Sequence, residues 1–197
     1  MTQTALAAIT SSILAVWLLH GAPQRRSLRA LEALGAAPLC LLALHQQGSG
    51  PAGLLAALIA TSLPPVFAHD LTEQRIPNKL TATIATLGAG ATFALALTVG
   101  TWAHFGVTIA CAIAAAGFYL LCAIIGGLGL GDVKLAGALA IPLAWIQPGA
   151  VITAVIIAAA LGCLHALVTV VRHHDVRRRF AFGPSLALGF FAAALLA

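Results

Sequence analysis

Acidic and basic side chains fall into four clusters along this chain: Arg25 to Glu32, Asp70 to Lys79, Asp132 with Lys134, and Arg172 to Arg179. Between them lie three stretches without Asp, Glu, Lys or Arg, at 33–69, 80–131 and 135–171. A helix that crosses a bilayer takes about 20 apolar residues, with a range of roughly 17–25. Each stretch therefore predicts two spanning helices joined by a turn. A helical hairpin returns the chain to the side it left, so all four clusters should share one membrane face. The middles of the stretches hold turn formers without charge, at Gln46-Gln47-Gly48-Ser49-Gly50-Pro51, Gly100-Thr101 and Gln147-Pro148-Gly149.

Composition excludes a soluble alternative. Charged residues make up 8% of the chain, hydrophobic residues 61%, and mean hydropathy is +1.03. A soluble domain carries about 25% charged residues. The fold class is thus an all-α polytopic membrane protein in a lipid bilayer. About eight transmembrane helices are expected, near 4–20, 29–45, 53–69, 80–99, 104–126, 134–146, 150–171 and 182–197. The sixth is short for a span, and the last is cut by the chain end. The first run lacks a basic start, and Arg25, Arg26 and Arg29 follow it. That is the reverse of a cleaved signal, so it is read as a retained helix.

All ten Lys and Arg lie on the clustered face, which the positive-inside rule makes cytoplasmic, with both termini outside. The net charge of +5 is therefore a topology signal. No basic stripe alternates with aromatic residues, so no nucleic-acid partner is expected. Cys40, Cys111, Cys122 and Cys163 are isolated within apolar runs, form no Cys-x-x-Cys pair, and read as buried small hydrophobes. No metal site or cofactor is expected. Abundant Ala and Gly suit close helix packing in lipid.

Five acidic residues exist. Asp175 reads as a loop charge, and Glu32 has the helical spacing to pair with Arg29. Of the remaining three, Asp70 ends the third helix and Asp132 starts the sixth, at similar depth on one face. Two neighbouring carboxylates do not both ionise cheaply and tend to share a proton, as an aspartic protease dyad requires. Equally, both residues have the spacing of interfacial charges that mark helix ends. Gly129 and Gly131 leave room for backbone to approach Asp132, and Pro77 suits the first turn of the fourth helix. Lys134 reads either as a cation biasing the charge of Asp132 or as a topology anchor. His69, adjacent to Asp70, reads as interfacial, and the other histidines receive no role.

The motifs together resemble the prepilin peptidase family of membrane aspartyl proteases. That family pairs an Asp, followed six residues later by Ile-Pro-Asn or Leu-Pro-Asp, with a downstream Gly-x-Gly-Asp-x-Lys. Here these are Asp70 with Ile76-Pro77-Asn78, and Gly129-Leu130-Gly131-Asp132-Val133-Lys134. Phe182-Gly183-Pro184 resembles the family's closing segment. The resemblance implies a six-helix aspartyl protease core over 53–197, with Asp70 and Asp132 catalytic, while residues 1–52 add two helices of unassigned role. It implies a prepilin-like membrane protein as substrate, cut after a Gly between a short basic leader and an apolar helix. The setting implied is the cytoplasmic membrane of a prokaryote, with the active site at the cytoplasmic face. Bifunctional members carry an N-terminal methyltransferase region with paired Cys-x-x-Cys motifs. The corresponding loop, Gly21 to Arg29, has none, so the chain resembles the short peptidase-only members and should not methylate its product. Some relatives have a second Asp two residues after the first; Thr72 stands here.

Two other classes fit parts of the pattern. Presenilin-like and signal-peptide-peptidase-like proteases share Gly-x-Gly-Asp but lack the Ile-Pro-Asn loop. A transporter or secretion scaffold would need midplane polar groups and helix breaks; Pro64-Pro65 and Pro142 are the candidate breaks.

Overall fold

The computed structural model describes residues 26–73, 75–173 and 182–197, with backbone alone at 26–34, 71–72 and 172–173. The predicted helix at 4–20, and Arg25, Gln74, Asp175 and Arg177 to Arg179, lie outside the described residues, as do the side chains of Arg29 and Glu32.

The described residues form helices α1 (Arg26–Gln47), α2 (Pro51–Glu73), α3 (Asn78–Val99), α4 (Trp102–Gly126), α5 (Leu130–Ile146), α6 (Ala150–His173) and α7 (Gly183–Leu196). Each matches a predicted helix to within four residues at either end. The three charge-free turns fall where expected. Gly100 takes φ +73° and returns its N–H to the Ala96 carbonyl at 2.9 Å, ending α3 in the left-handed conformation that glycine adopts without strain.

Among the described residues four helices are long and apolar enough to cross a membrane: α2, α3, α4 and α6. At 1.5 Å per residue α5 and α7 reach only about 25 and 21 Å, short of a hydrocarbon core of about 30 Å. The physical reason for α5 is its position. It packs against α2, α3, α4, α6 and α7 and is largely buried beyond its first turn, with Leu135, Leu139 and Leu143 fully enclosed. A helix surrounded by helices has no lipid boundary to match.

Lipid tails are as apolar as leucine, so burial alone does not hold such helices together; close packing does. A buried Leu makes roughly 40–60 contacts of about 0.1–0.2 kcal/mol each. Small residues set the approach distances. A Cβ on Gly189 of α7 would stand 2.6 Å from the Ala158 nitrogen of α6, so that crossing is backbone against backbone. Outward, α4 and α6 present Ile113, Ile124, Ile125, Ile152 and Ile156, all more than three-fifths exposed. Such a surface needs lipid against it.

Two expectations change. Pro64, Pro65 and Pro142 break nothing: α2 and α5 run through them. One turn earlier, the Thr61 and Ser62 hydroxyls donate to the Leu58 and Ile59 carbonyls. Only Cys40 is buried; Cys111 and Cys122 are half-buried and Cys163 is exposed. An outward face in lipid needs no polarity, so an apolar run does not tell inside from outside.

The two ends of the bundle differ chemically. At the α3–α4 turn, Phe93, Trp102 and Phe105 form a cluster with ring centroids 5.8–6.4 Å apart. At the other end, exposed Arg75, Lys79 and Lys134 surround the point where α2 ends and α3 and α5 begin.

Candidate active site

At that basic end the two aspartate motifs meet. Asp70 lies in the last turn of α2 and is 5% exposed; Asp132 lies in the first turn of α5 and is 9% exposed. Their carboxylates are close enough to act on each other electrostatically. Helix α2 packs on α5, so residues 62 positions apart in sequence share one buried site. This proximity could not be read from hydropathy, which gave only their similar depth.

Each carboxylate has its own backbone donor. The Gly183 N–H, at the start of α7, donates to Asp70 Oδ2 at 2.8 Å. The first turn of a helix has N–H groups without intrahelical partners and a positive dipole end, so it suits a carboxylate. A Cβ on Gly183 would stand 2.7 Å from Asp70 Oδ2 and 3.0 Å from Ile76 Cδ1, so only glycine brings the donor this close. The closing Phe-Gly-Pro segment had a family likeness in the sequence but no role; its glycine holds Asp70. Asp132 bends back to take the N–H of Gly129, the N-cap of α5. An acidic side chain three residues past the cap makes this return bond in a capping box. Gly129 also accepts from the Asp132 N–H at 3.0 Å.

Ile76, 9% exposed, is the apolar wedge between the motifs. A Cβ on Gly131 would stand 3.3 Å from its Cβ. Glycine at 131 thus admits Ile76, not an approach to the Asp132 carboxylate. Pro77 sits one position earlier than expected, as the N-cap of α3, where its carbonyl accepts from Leu80 N at 3.0 Å and Thr81 N at 3.3 Å. Lys134 pairs with Asn78, not with Asp132: its Nζ donates to Asn78 Oδ1 at 2.9 Å. The two motifs are thereby tied at the rim.

His69 is buried, at 8% exposure. Its Nδ1 lies 4.0 Å from Oε2 of Glu73, one turn on. Sequence reasoning passed over three further residues. His165 of α6 is within electrostatic reach of Asp70. Tyr119 of α4, buried, is within such reach of Asp132. Phe182 places its ring 6.2 Å from that of Tyr119, centroid to centroid. His165 and Tyr119 belong to no spaced motif, so no local signal marks them; Phe182 lies in the closing Phe-Gly-Pro segment, which marked its place but not its contact with Tyr119.

An open groove of about 470 Å³ runs between α3, α4 and α5, lined by Asn78, Thr81, Ala85, Ala116, Lys134 and Gly137; neither aspartate lines it.

Among curated proteins and among solved structures no match is found. A family model described as the type IV leader peptidase family matches residues 57–167. That span holds Asp70, Ile76-Pro77-Asn78 and Gly129 to Lys134, and ends before Gly183. With both aspartate motifs inside a match to more than half of its length, this chain belongs to the type IV leader peptidase family.

Proposed function

We propose that this membrane peptidase is an aspartyl endopeptidase that removes the leader of type IV pilin-like precursors at the cytoplasmic face of a prokaryotic cytoplasmic membrane. The observation that carries this is the pairing of Asp70 and Asp132: two nearly enclosed carboxylates from separate helices, each with a backbone N–H, at the bundle's basic end.

The chemistry follows from sharing one proton. The ionised member takes a proton from water as the water oxygen bonds to the scissile carbonyl carbon. The protonated member gives its proton to the carbonyl oxygen. The tetrahedral adduct collapses, the C–N bond breaks, and the leaving nitrogen takes a proton from the dyad. Peptide and water become acid and amine, with no metal or nucleotide consumed. A Gly before the cut lets backbone approach the carboxylates. The basic rim of Arg75, Lys79 and Lys134 supports a cytoplasmic placement. All site residues named here come from α2 to α7, in keeping with a catalytic core over 53–197. The segment Gly21 to Arg29 holds no paired cysteines, and the product should leave unmethylated.

The test is cleavage of a leader-bearing precursor by the purified protein in detergent, with EDTA present. Asp70→Asn and Asp132→Asn should each lower turnover by at least about 10³-fold, since positioned acid–base groups contribute roughly 10²–10⁴ each and act here as a unit. Mass spectrometry should find a bare amine at the new N-terminus. Near-normal turnover of either variant, or loss of cleavage with EDTA, refutes the dyad; a methyl group on the product refutes the peptidase-only reading.

A further inference from the structure

Tyr119 presents a chemical oddity beside the carboxylates. It is 3% exposed, and its hydroxyl has no hydrogen-bond partner. A buried polar group left unpaired is costly, and such groups in folded proteins are few enough that each needs a reason. Tyrosine in a membrane helix also has a cheap replacement, since phenylalanine fills nearly the same volume without the penalty.

The ring is firmly held. It packs on Phe182 at a centroid distance of 6.2 Å, and Phe182 in turn lies against Gly162 of α6. Phe182 directly precedes Gly183, whose N–H holds Asp70. Tyr119 is also within electrostatic reach of Asp132. One side chain thus touches the residue that precedes the donor to one carboxylate and lies within electrostatic reach of the other.

The donors around the site divide cleanly. Gly183 N–H is spent on Asp70 and Gly129 N–H on Asp132. The Tyr119 hydroxyl bonds neither carboxylate, so it is not a positioning group for the resting dyad. A donor kept dry and unused next to reacting groups is pre-arranged for an acceptor that arrives later. We propose that the Tyr119 hydroxyl is a catalytic donor that hydrogen-bonds the scissile carbonyl oxygen of the substrate as negative charge develops on it. The inference rests on the aspartyl peptidase reading above. It adds no covalent step: the hydroxyl keeps its proton, polarises the carbonyl as water adds, and releases it when the adduct collapses.

The test uses the full-length protein in detergent and a precursor with a basic leader, a Gly and an apolar helix. Tyr119→Phe keeps the ring on Phe182 and removes the donor alone. Loss of one such donor lowers kcat by about 10²–10³-fold, and an interaction made only in the transition state leaves KM within about threefold. Thermal stability should be equal or higher, because an unsatisfied group is gone. Tyr119→Leu should lose the same activity and also stability. If Asp70→Asn and Asp132→Asn are inactive while Tyr119→Phe keeps kcat within about threefold of the parent, the hydroxyl is mere packing and this inference fails alone. A rise in KM with kcat unchanged also overturns it. If the Asn variants remain active, the aspartyl reading itself is wrong, and the inference falls with it.

Discussion

The Gly183 N–H donates to Asp70 Oδ2 at 2.8 Å, joining the start of the last helix to a carboxylate 113 residues earlier. That bond lies outside the 57–167 span that defines the family match. It makes the start of this 14-residue helix part of the site. α7 is anchored by backbone contact with α6 at Gly189 and by the Asp70 bond at its tip.

Gly183→Ala should therefore be far more harmful than alanine elsewhere. In an open helix position Gly→Ala usually stabilises, by roughly 0.5–1 kcal/mol. At Gly90 and Gly106 an added Cβ meets nothing within 4 Å, so alanine there should leave cleavage unchanged. At Gly183 it would meet Asp70 Oδ2 at 2.7 Å, displacing the donor or the carboxylate. Turnover should fall by about 10²-fold, the scale of a misplacement near 1 Å in an active site. Equal activity of all three variants would mean that the Asp70–Gly183 bond does not matter to catalysis.

The Lys134–Asn78 bond is exposed, so its loss should be mild. Hydrogen bonds to charged groups contribute about 1.5–3 kcal/mol, and those at the surface less. Lys134→Met should lower cleavage by less than about tenfold, and Asn78→Ala by a similar factor. The double variant should be no worse than either single one, because both remove the same bond. Additive losses would assign Lys134 a separate role, such as acting on Asp132.

Cysteine labelling tests which face carries the site. In a background without Cys40, Cys111, Cys122 and Cys163, a cysteine at exposed Arg75 should resist impermeant reagent in intact cells and react after permeabilisation. A cysteine at Gly48, in the α1–α2 turn, should react in intact cells. The opposite pattern would put the basic rim outside and reverse the membrane orientation.

Charge spacing and hydropathy alone determined the class of this protein, the hairpin turns and the bounds of the seven described helices, because lipid imposes length and charge rules that act locally along a chain. The two aspartate motifs were legible for the same reason: each is a short run of neighbours. What faces what was not legible. Whether α5 is a span or an enclosed strut, whether Cys163 points in or out, and that His69 is buried depend on helix rotation and neighbours. In lipid these are set by shape, through contacts such as Gly189 on Ala158. Lys134 pairs with Asn78 and not Asp132 because α3 and α5 cross at the rim; Asp70 finds Gly183 because α7 folds back onto α2. Tyr119 carries no local mark, since a lone tyrosine in an apolar helix looks like filler until Phe182 and Asp132 stand beside it. Sequence determines where helices run in a membrane; only their packing decides which side chains share a site.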